Sequence, residues 1–260
     1  AKALHLNNRL EDAKSHYLIY LAAIENNKEL KHFEKEIRRE IVRCNNAISM
    51  IKKPENVHIQ LISSVINSPF DDYSPLISSQ GNQMYFTSDR PSTRRGKEFK
   101  LDGTYYEDIY VSNIVKGEWS KPQKVNELDS KHHDACVALS HDGSQMIIYR
   151  YSNIDVFHKA SGNLYLTTFV DGLWSKPTLL SLSSGSKSRE VSACFSIDDR
   201  EIYFTSDTEI GFGGTDIYRT RLQEDGHWSD PINLGPTVNT PFDEDAPFIH
   251  PSGRILSFSS

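Results

Sequence analysis

Four acidic residues recur at similar positions in the 260-residue chain and are the first candidates for chemistry. Each precedes or begins a short apolar stretch, such as Ala135-Cys-Val-Ala-Leu139. The four residues are Asp72, Asp134, Glu190 and Glu244. A fold that brought them together at the mouth of a channel would form an acidic ring able to bind a cation or a basic peptide. In the alternative interpretation, which we favour, each carboxylate is structural and accepts hydrogen bonds from a neighbouring repeat or a nearby serine.

Other residues of the chain suggest catalysis or metal binding only superficially. His132-His133-Asp134 resembles a metal site, but such sites need three or four ligands, and no other repeat supplies a matching histidine. The chain has no Gly-x-Ser-x-Gly elbow, phosphate-binding loop or dinucleotide motif. Ser140-His-Asp-Gly143 resembles a sialidase Asp-box but lacks the tryptophan that should follow closely. The sequence therefore predicts a protein that is not an enzyme and binds neither a metal nor a cofactor.

The elements that position these residues are marked by a repeated tetrapeptide. The only three tryptophans of the chain begin the copies Trp119-Ser-Lys-Pro122, Trp174-Ser-Lys-Pro177 and Trp228-Ser-Asp-Pro231. They are 174 − 119 = 55 and 228 − 174 = 54 residues apart. A fixed period of this length is typical of a repeat architecture.

Each copy predicts four short strands of alternating polarity, with glycine in the tight turns. Repeated four-stranded units are the blades of a β-propeller, so the sequence predicts a mainly β fold of four-stranded antiparallel blades. Three and a half blades fit between residues 54 and 260, and we expect the natural protein to continue beyond Ser260. Val57 to Leu61 occupies the place of a fourth strand that would complete the last blade of a closed propeller.

The links between strands predict where binding takes place. In a propeller, the loops between second and third strands share one face with the links between blades, and variable loops on a rigid scaffold commonly carry binding. We therefore expect this face to bind a protein, with solvated loops that bind nothing as the alternative. The candidate residues are Arg94, Arg95, Tyr105, Tyr106, His132 and His133.

Residues 1–53 differ from the rest, because glycine and proline are absent until Pro54. Leu10, Ala13, Tyr17, Tyr20 and Leu21 form one apolar stripe, and a second runs from Phe33 to Ile51 through Cys44. The pattern predicts two antiparallel helices with a break near Asn27. Their spacing resembles part of a tetratricopeptide repeat (TPR), and a helical hairpin that only caps the next domain is the alternative.

Composition limits the partners. The net charge of −6 argues against a nucleic-acid surface, and no apolar run is long enough to cross a membrane. The three cysteines, Cys44, Cys136 and Cys194, form no CxxC pair, and we interpret them as core residues.

The repeats resemble the WD-like propeller repeats of the TolB type. The resemblance lies in the Phe-x-Ser strands ending at Ser88 and Ser206, in the Asp-Ile-Tyr strands ending at Tyr110 and Tyr218, and in the Asp142-Gly143 turn. Together with Tyr106-Glu-Asp-Ile-Tyr110 and Asp245-Ala-Pro-Phe-Ile-His-Pro-Ser-Gly253, the order of motifs resembles a Bacteroidota group in which a tetratricopeptide region precedes such a propeller.

Members of that group often continue into an OmpA-like peptidoglycan-binding domain, and one is the anchoring lipoprotein of the type IX secretion system. The resemblance thus implies a scaffold in the periplasm, associated with the outer membrane, with protein partners in the cell envelope. It assigns peptidoglycan binding to no residue of these 260. The alternative is a propeller that binds or hydrolyses peptides or glycans.

Overall fold

The computed structural model describes residues 1–25, 27, 29–91, 105–152, 161–180, 182 and 189–260. They form two units, Ala1–Gln60 and Leu61–Ser260. The boundary that the sequence predicts, between residues 53 and 54, stays a prediction.

The first unit is helical. Its helices are α1 (Lys2–Leu6), α2 (Leu10–Glu25) and α3 (Glu34–Lys52), with a 3₁₀ turn at Lys31–Phe33. The stripe on α2 packs against Ile37 and Cys44 of α3, so Cys44 lies in the core as predicted. The prediction was wrong for three residues of the two stripes: Phe33 belongs to the 3₁₀ turn and is exposed, and Tyr20 and Ile51 are exposed on their helices.

The second unit consists of β-strands. In chain order they are β1 (Asp72–Ile77), β2 (Gln83–Ser88), β3 (Asp108–Val115), β4 (Glu118–Trp119), β5 (Gln123–Lys124), β6 (His133–Leu139), β7 (Gln145–Ser152), β8 (Ser161–Val170), β9 (Leu173–Trp174), β10 (Thr178–Leu179), β11 (Glu190–Phe195), β12 (Glu201–Ser206), β13 (Asp216–Arg221), β14 (Ile232–Asn233), β15 (Asp245–Ile249) and β16 (Leu256–Ser259).

Within the described residues these strands form four antiparallel sheets, and each sheet is continuous in sequence. The first contains β1–β5, the second β6–β10, the third β11–β14 and the fourth β15 and β16. The leading strand of each sheet (β1, β6, β11 and β15) lies against the leading strand of the next. Successive four-stranded sheets with their first strands side by side are the blades of a β-propeller, as the sequence predicts.

The Trp-Ser-x-Pro motif interrupts the outermost strand of each complete sheet. In the first sheet, β4 and β5 both pair with β3, and Ser120-Lys-Pro122 separates them. The serine holds the interruption in place, because Ser112 Oγ donates to the Ser120 carbonyl at 2.6 Å and the Asn113 N–H donates to Ser120 Oγ at 3.1 Å. The motif therefore fixes the outer edge of the sheet, and the same bonds recur in the other two sheets.

The tryptophans pack in the apolar layers of the sheets, as predicted. Trp174 is buried and meets the ring of Tyr85, on the preceding sheet, edge to face at 5.7 Å. Trp119 and Trp228 are partly buried against their own clusters. They are packing residues at equivalent positions, which explains their constant spacing.

The tight turns also follow the prediction, with one exception. Gly81, Gly143 and Gly253 adopt φ of 68°, 75° and 69° between the first and second strands. In the third sheet Asp199 takes this place at φ 56°. Its carboxylate accepts the N–H groups of His141 and Asp142 at 2.7 and 3.1 Å, which ties the turn of the second sheet to that of the third.

Val57 to Leu61 pairs with no other strand among the described residues, and its side chains at Val57, Ile59 and Leu61 are 68%, 90% and 75% exposed. That this segment completes a last blade stays a prediction.

Candidate protein-binding face

One end of the sheets collects the links that precede the first strands and the segments that lead into the third strands. We call this end the loop face and define it by Phe70, Tyr105, Tyr106, Glu107, His132 and His133. Two contacts establish it: the rings of Phe70 and Tyr105 meet edge to face at 5.9 Å, and the N–H of Asp71 donates to Asp89 at 2.8 Å. The turns at Gly81 and Gly143 lie at the opposite end of the strands.

The four acids that recur in the sequence lie at the start of the leading strands, where Asp134, Glu190 and Glu244 are buried and Asp72 is partly buried. Asp72 accepts bonds from the N–H and hydroxyl of Ser68 at 2.7 and 2.9 Å and from Arg90. Glu244 accepts bonds from Thr240, which also lies four residues earlier, and from Ser260. These are bonds of the kind that the structural interpretation expects, whereas the acidic ring at a channel mouth stays a prediction.

The other two acids have related surroundings. Arg150 donates to Asp134 at 2.5 Å, and Ser206 donates to Glu190 at 3.3 Å. Burial raises the pKa of Asp134 despite its bonds with Ser130 and Arg150. For Asp72, burial acts in the same direction, but the bonds from Arg90, Ser88 and Ser68 outweigh it and lower the pKa. The acids at equivalent positions therefore differ in how readily they take up a proton.

Glu107, which the sequence analysis did not single out, is the centre of the loop face. It immediately precedes β3, and the hydroxyl of Tyr151, on the second sheet, donates to its Oε2 at 2.6 Å. Tyr73 of β1 forms a further hydrogen bond with the same carboxylate. The Glu107 carbonyl accepts the N–H of Asp134 at 3.0 Å. One residue thus joins the first two sheets through both its backbone and its side chain.

His133 fills the space between the rings around Glu107. Its imidazole stacks on Tyr151 at 4.5 Å and 11°, and it lies 4.9 Å from the ring of Tyr106. Burial would raise the pKa of Glu107, but the contacts with His133, Tyr151 and Tyr73 outweigh it and hold the pKa below its usual value. The carboxylate is therefore ionised at neutral pH.

The structure brings together some of the predicted face residues. Tyr106 and His133 are in contact, and Tyr105 pairs with Phe70, while His132 is exposed beside them. Arg94 and Arg95 lie outside the described residues. Sequence reasoning missed Glu107, Tyr73 and Tyr151; the position of Glu107 beside Tyr106 was the one available signal.

A cavity of about 500 Å³ lies where the leading strands meet. Its walls are mostly apolar and include Leu76, Leu139, Phe195 and Phe248, one from each sheet. Cys194 also lines it, and burial raises the pKa of this thiol to about 12. Such a thiol is protonated and unreactive at neutral pH.

The described residues contain no group of three or more His, Cys, Asp or Glu side chains placed to hold a metal ion. The helices among them are too short or too polar to cross a membrane.

No protein-family model and no curated protein matches the chain. Several solved structures are similar to it. A protein assigned as TolB from Agrobacterium tumefaciens is 19% identical with a TM-score of 0.46, and the match covers 70% of this chain and 51% of that one. The tricorn protease is 10% identical with a TM-score of 0.45, and the match covers 68% of this chain and 18% of the protease. The periplasmic gluconolactonase PpgL of Pseudomonas aeruginosa is 14% identical with a TM-score of 0.38, and the match covers 71% of this chain and 63% of the gluconolactonase. The chain thus spans about half the length of the TolB structure that it matches.

Proposed function

We propose that this chain is a non-enzymatic scaffold of the cell envelope that binds another protein through its loop face. The proposal places it in the periplasm, associated with the outer membrane, with the helices as a second docking surface. The resemblance to TPR-propeller proteins with OmpA-like domains supports this location and suggests a role in envelope anchoring or type IX secretion.

One observation carries the proposal: aromatic side chains gather on the loop face above a rigid base. Phe70 and Tyr73 are 39% and 38% exposed, and Tyr105 and Tyr106 lie beside them, partly exposed. Partly exposed aromatic residues on a preorganised support are the residues that contribute most to protein-protein binding. Hydrogen bonds that join two sheets form the base, so little conformational entropy is lost when a partner binds.

The test is capture of partners on the immobilised full chain from a detergent extract of the source cell's envelope, quantified by mass spectrometry. We expect a protein that the wild type retains and the double variant Tyr105→Ala/Tyr106→Ala loses by about tenfold or more, since each truncated anchor of this kind costs about 1–2 kcal/mol. Leu173→Ala is the matched control, because Leu173 is an exposed apolar residue at the opposite end of the sheets.

Two results would contradict the proposal. Equal capture by the wild type and the tyrosine variant would show that the loop face is not the binding site. Loss of capture in Phe248→Ala alone would instead assign binding to the cavity between the leading strands. That second result favours the alternative, a ligand-binding or hydrolytic propeller, which release of product from peptide and glycan substrates would then test.

A further inference from the structure

The fold twice builds the same arrangement of an acid, an arginine and an aromatic ring. In the first sheet, Arg90 pairs with Asp72 while its guanidinium lies 5.2 Å from the ring centre of Phe86 and 5.0 Å from that of Tyr110. The same guanidinium donates to the Ile66 carbonyl at 2.8 Å. The cation is therefore held by a carboxylate, by π faces and by a backbone oxygen.

The second sheet repeats this arrangement with different residues. Arg150 pairs with Asp134, lies 5.2 Å from the ring centre of Tyr165 and donates to the Leu128 carbonyl at 3.1 Å. Arg150 lies on β7, which pairs with the strand of Asp134, and Arg90 follows β2, which pairs with the strand of Asp72. A guanidinium is thus the group that this fold places between a buried carboxylate and aromatic rings.

Glu107 has the carboxylate and the rings of such a site. Tyr73, Tyr106, Tyr151 and His133 surround it, and the phenol groups of Tyr73 and Tyr151 bond to the carboxylate. No lysine or arginine in the described part of the chain forms an ion pair with Glu107. Glu107 therefore shares a carboxylate and nearby aromatic rings with the two internal sites, while the nitrogen group beside it is the imidazole of His133.

The imidazole of His133 lies beside this carboxylate. The backbone N–H of Glu107 donates to Nδ1 of His133 at 3.4 Å, and Nδ1 lies 3.6 Å from Oε2 of Glu107. Tyr73 and Tyr151 bond to the carboxylate through hydroxyl groups, which carry no positive charge.

The carboxylate can be reached from outside. The side chain of Glu107 is 19% exposed, and Tyr73 beside it is open to solvent at the edge of the site. A carboxylate that is largely desolvated and ringed by aromatic groups attracts a cation more strongly than one in bulk water. A charge of −6 over the whole chain favours the approach of a basic partner.

We propose that Glu107 and the surrounding tyrosines form a recognition site for a cationic side chain, arginine above lysine, presented by the protein that binds the loop face. The planar guanidinium bonds to the carboxylate while its face lies on the rings, as it does in the two internal sites. This inference rests on the proposed function, because a protein must present the cation in the cell. It gives that protein a chemical signature, an exposed basic residue at the centre of its contact surface.

The test uses a small probe and needs no knowledge of the partner. N-acetyl-arginine amide is titrated into the full ¹⁵N-labelled chain, with N-acetyl-citrulline amide as a neutral ligand of nearly the same shape. We expect saturable shifts at the amides of Glu107, His133 and Tyr151 with the arginine probe, weaker shifts with N-acetyl-lysine amide and none with citrulline. Glu107→Gln weakens arginine binding about tenfold or more, since it removes the charge and keeps an acceptor for the phenols. Glu118→Gln, an exposed acid at the opposite end of the sheets, leaves binding unchanged.

Three outcomes would overturn the inference: equal shifts with arginine and citrulline, unchanged binding in Glu107→Gln, or binding that appears only after Arg94→Ala/Arg95→Ala. The last would mean that the chain supplies the cation itself. The citrulline comparison is made on the wild type and stays decisive even if Glu107→Gln fails to fold.

The result is separable from that of the proposed function. Capture that depends on Tyr105 and Tyr106 without any arginine binding refutes the cation site and leaves the loop face as a docking surface. Arginine binding at Glu107 with capture that is independent of those tyrosines refutes the docking surface.

Discussion

Replacement of Arg150 by methionine tests whether the buried acids hold the sheets together. The Arg150 side chain is 18% exposed and that of Asp134 is 1% exposed. In their ion pair, Nε of Arg150 lies 2.5 Å from Oδ1 of Asp134. Methionine keeps the length and apolar stem of arginine but leaves Asp134 without its cation. Removal of one partner of a buried pair costs about 3–5 kcal/mol, so we expect a loss of that size in the free energy of unfolding at pH 7.

The double variant Asp134→Asn/Arg150→Met separates the pair from the arginine's other contacts. Since it leaves no uncompensated charge, it should regain about 2 kcal/mol or more relative to Arg150→Met alone. The measurement is urea unfolding followed by tryptophan fluorescence, in which buried Trp174 reports on the second sheet. Arg219→Met is the control, because Arg219 pairs with Glu201 at a more exposed site and should cost less than about 1 kcal/mol.

A loss below about 1 kcal/mol in Arg150→Met would refute the reasoning, because a pair this deeply buried would then contribute no more than a surface pair. A double variant as unstable as the single variant would also refute it. The destabilisation would in that case come from the Leu128 carbonyl and the Tyr165 ring, which the arginine also contacts.

Three further predictions concern packing and pH. Thr167→Val removes the buried hydroxyl that donates to the interrupted outer strand and should lower the unfolding free energy by about 1–2 kcal/mol in urea titrations. Gly162→Ala places a Cβ 2.3 Å from the ring of Tyr149 and should lower the free energy of unfolding by about 1–3 kcal/mol. The double variant Gly162→Ala/Tyr149→Leu should recover part of this loss. Equal thermal midpoints for the wild type and Gly162→Ala would contradict the prediction. The pKa of Asp72 is lowered in the folded state, so ionised Asp72 stabilises the fold above the unfolded pKa of about 3.9, and this stabilisation is lost as the pH falls through the folded pKa. The pKa of Asp134 is raised, so its contribution to the free energy of unfolding increases as the pH falls. Between about pH 7 and pH 3 the urea midpoint should therefore fall less in Asp72→Asn and more in Asp134→Asn than in the wild type, and parallel curves would contradict the assignment.

The sequence was informative about whatever repeats. The three Trp-Ser-x-Pro copies predicted the sheets and their order, because each copy must meet the same packing demand. The role of the segment from Val57 to Leu61 stays a prediction, since the blade that it would complete is not among the described residues.

The candidate site was predictable only in part. Tyr105, Tyr106 and His133 could be assigned to one face from propeller connectivity. Glu107 could not be recognised as its centre, because its partners Tyr73, His133 and Tyr151 lie 34, 26 and 44 positions away in the chain and occur once rather than in each repeat. A contact that is unique to one pair of sheets leaves no periodic pattern in a single sequence.

The interrupted outer strands also affect how molecules of this protein meet one another. In the first two sheets the outer strand consists of two-residue pieces separated by a segment that includes a proline, and in the third a single bridge at Trp228 and the two residues of β14 flank Pro231. The rim of these blades therefore lacks a straight row of free donors and acceptors. Such a row is what lets two protein molecules join their sheets side by side into fibrils. Crowding at high concentration should therefore not produce growth along the rims of the first three blades.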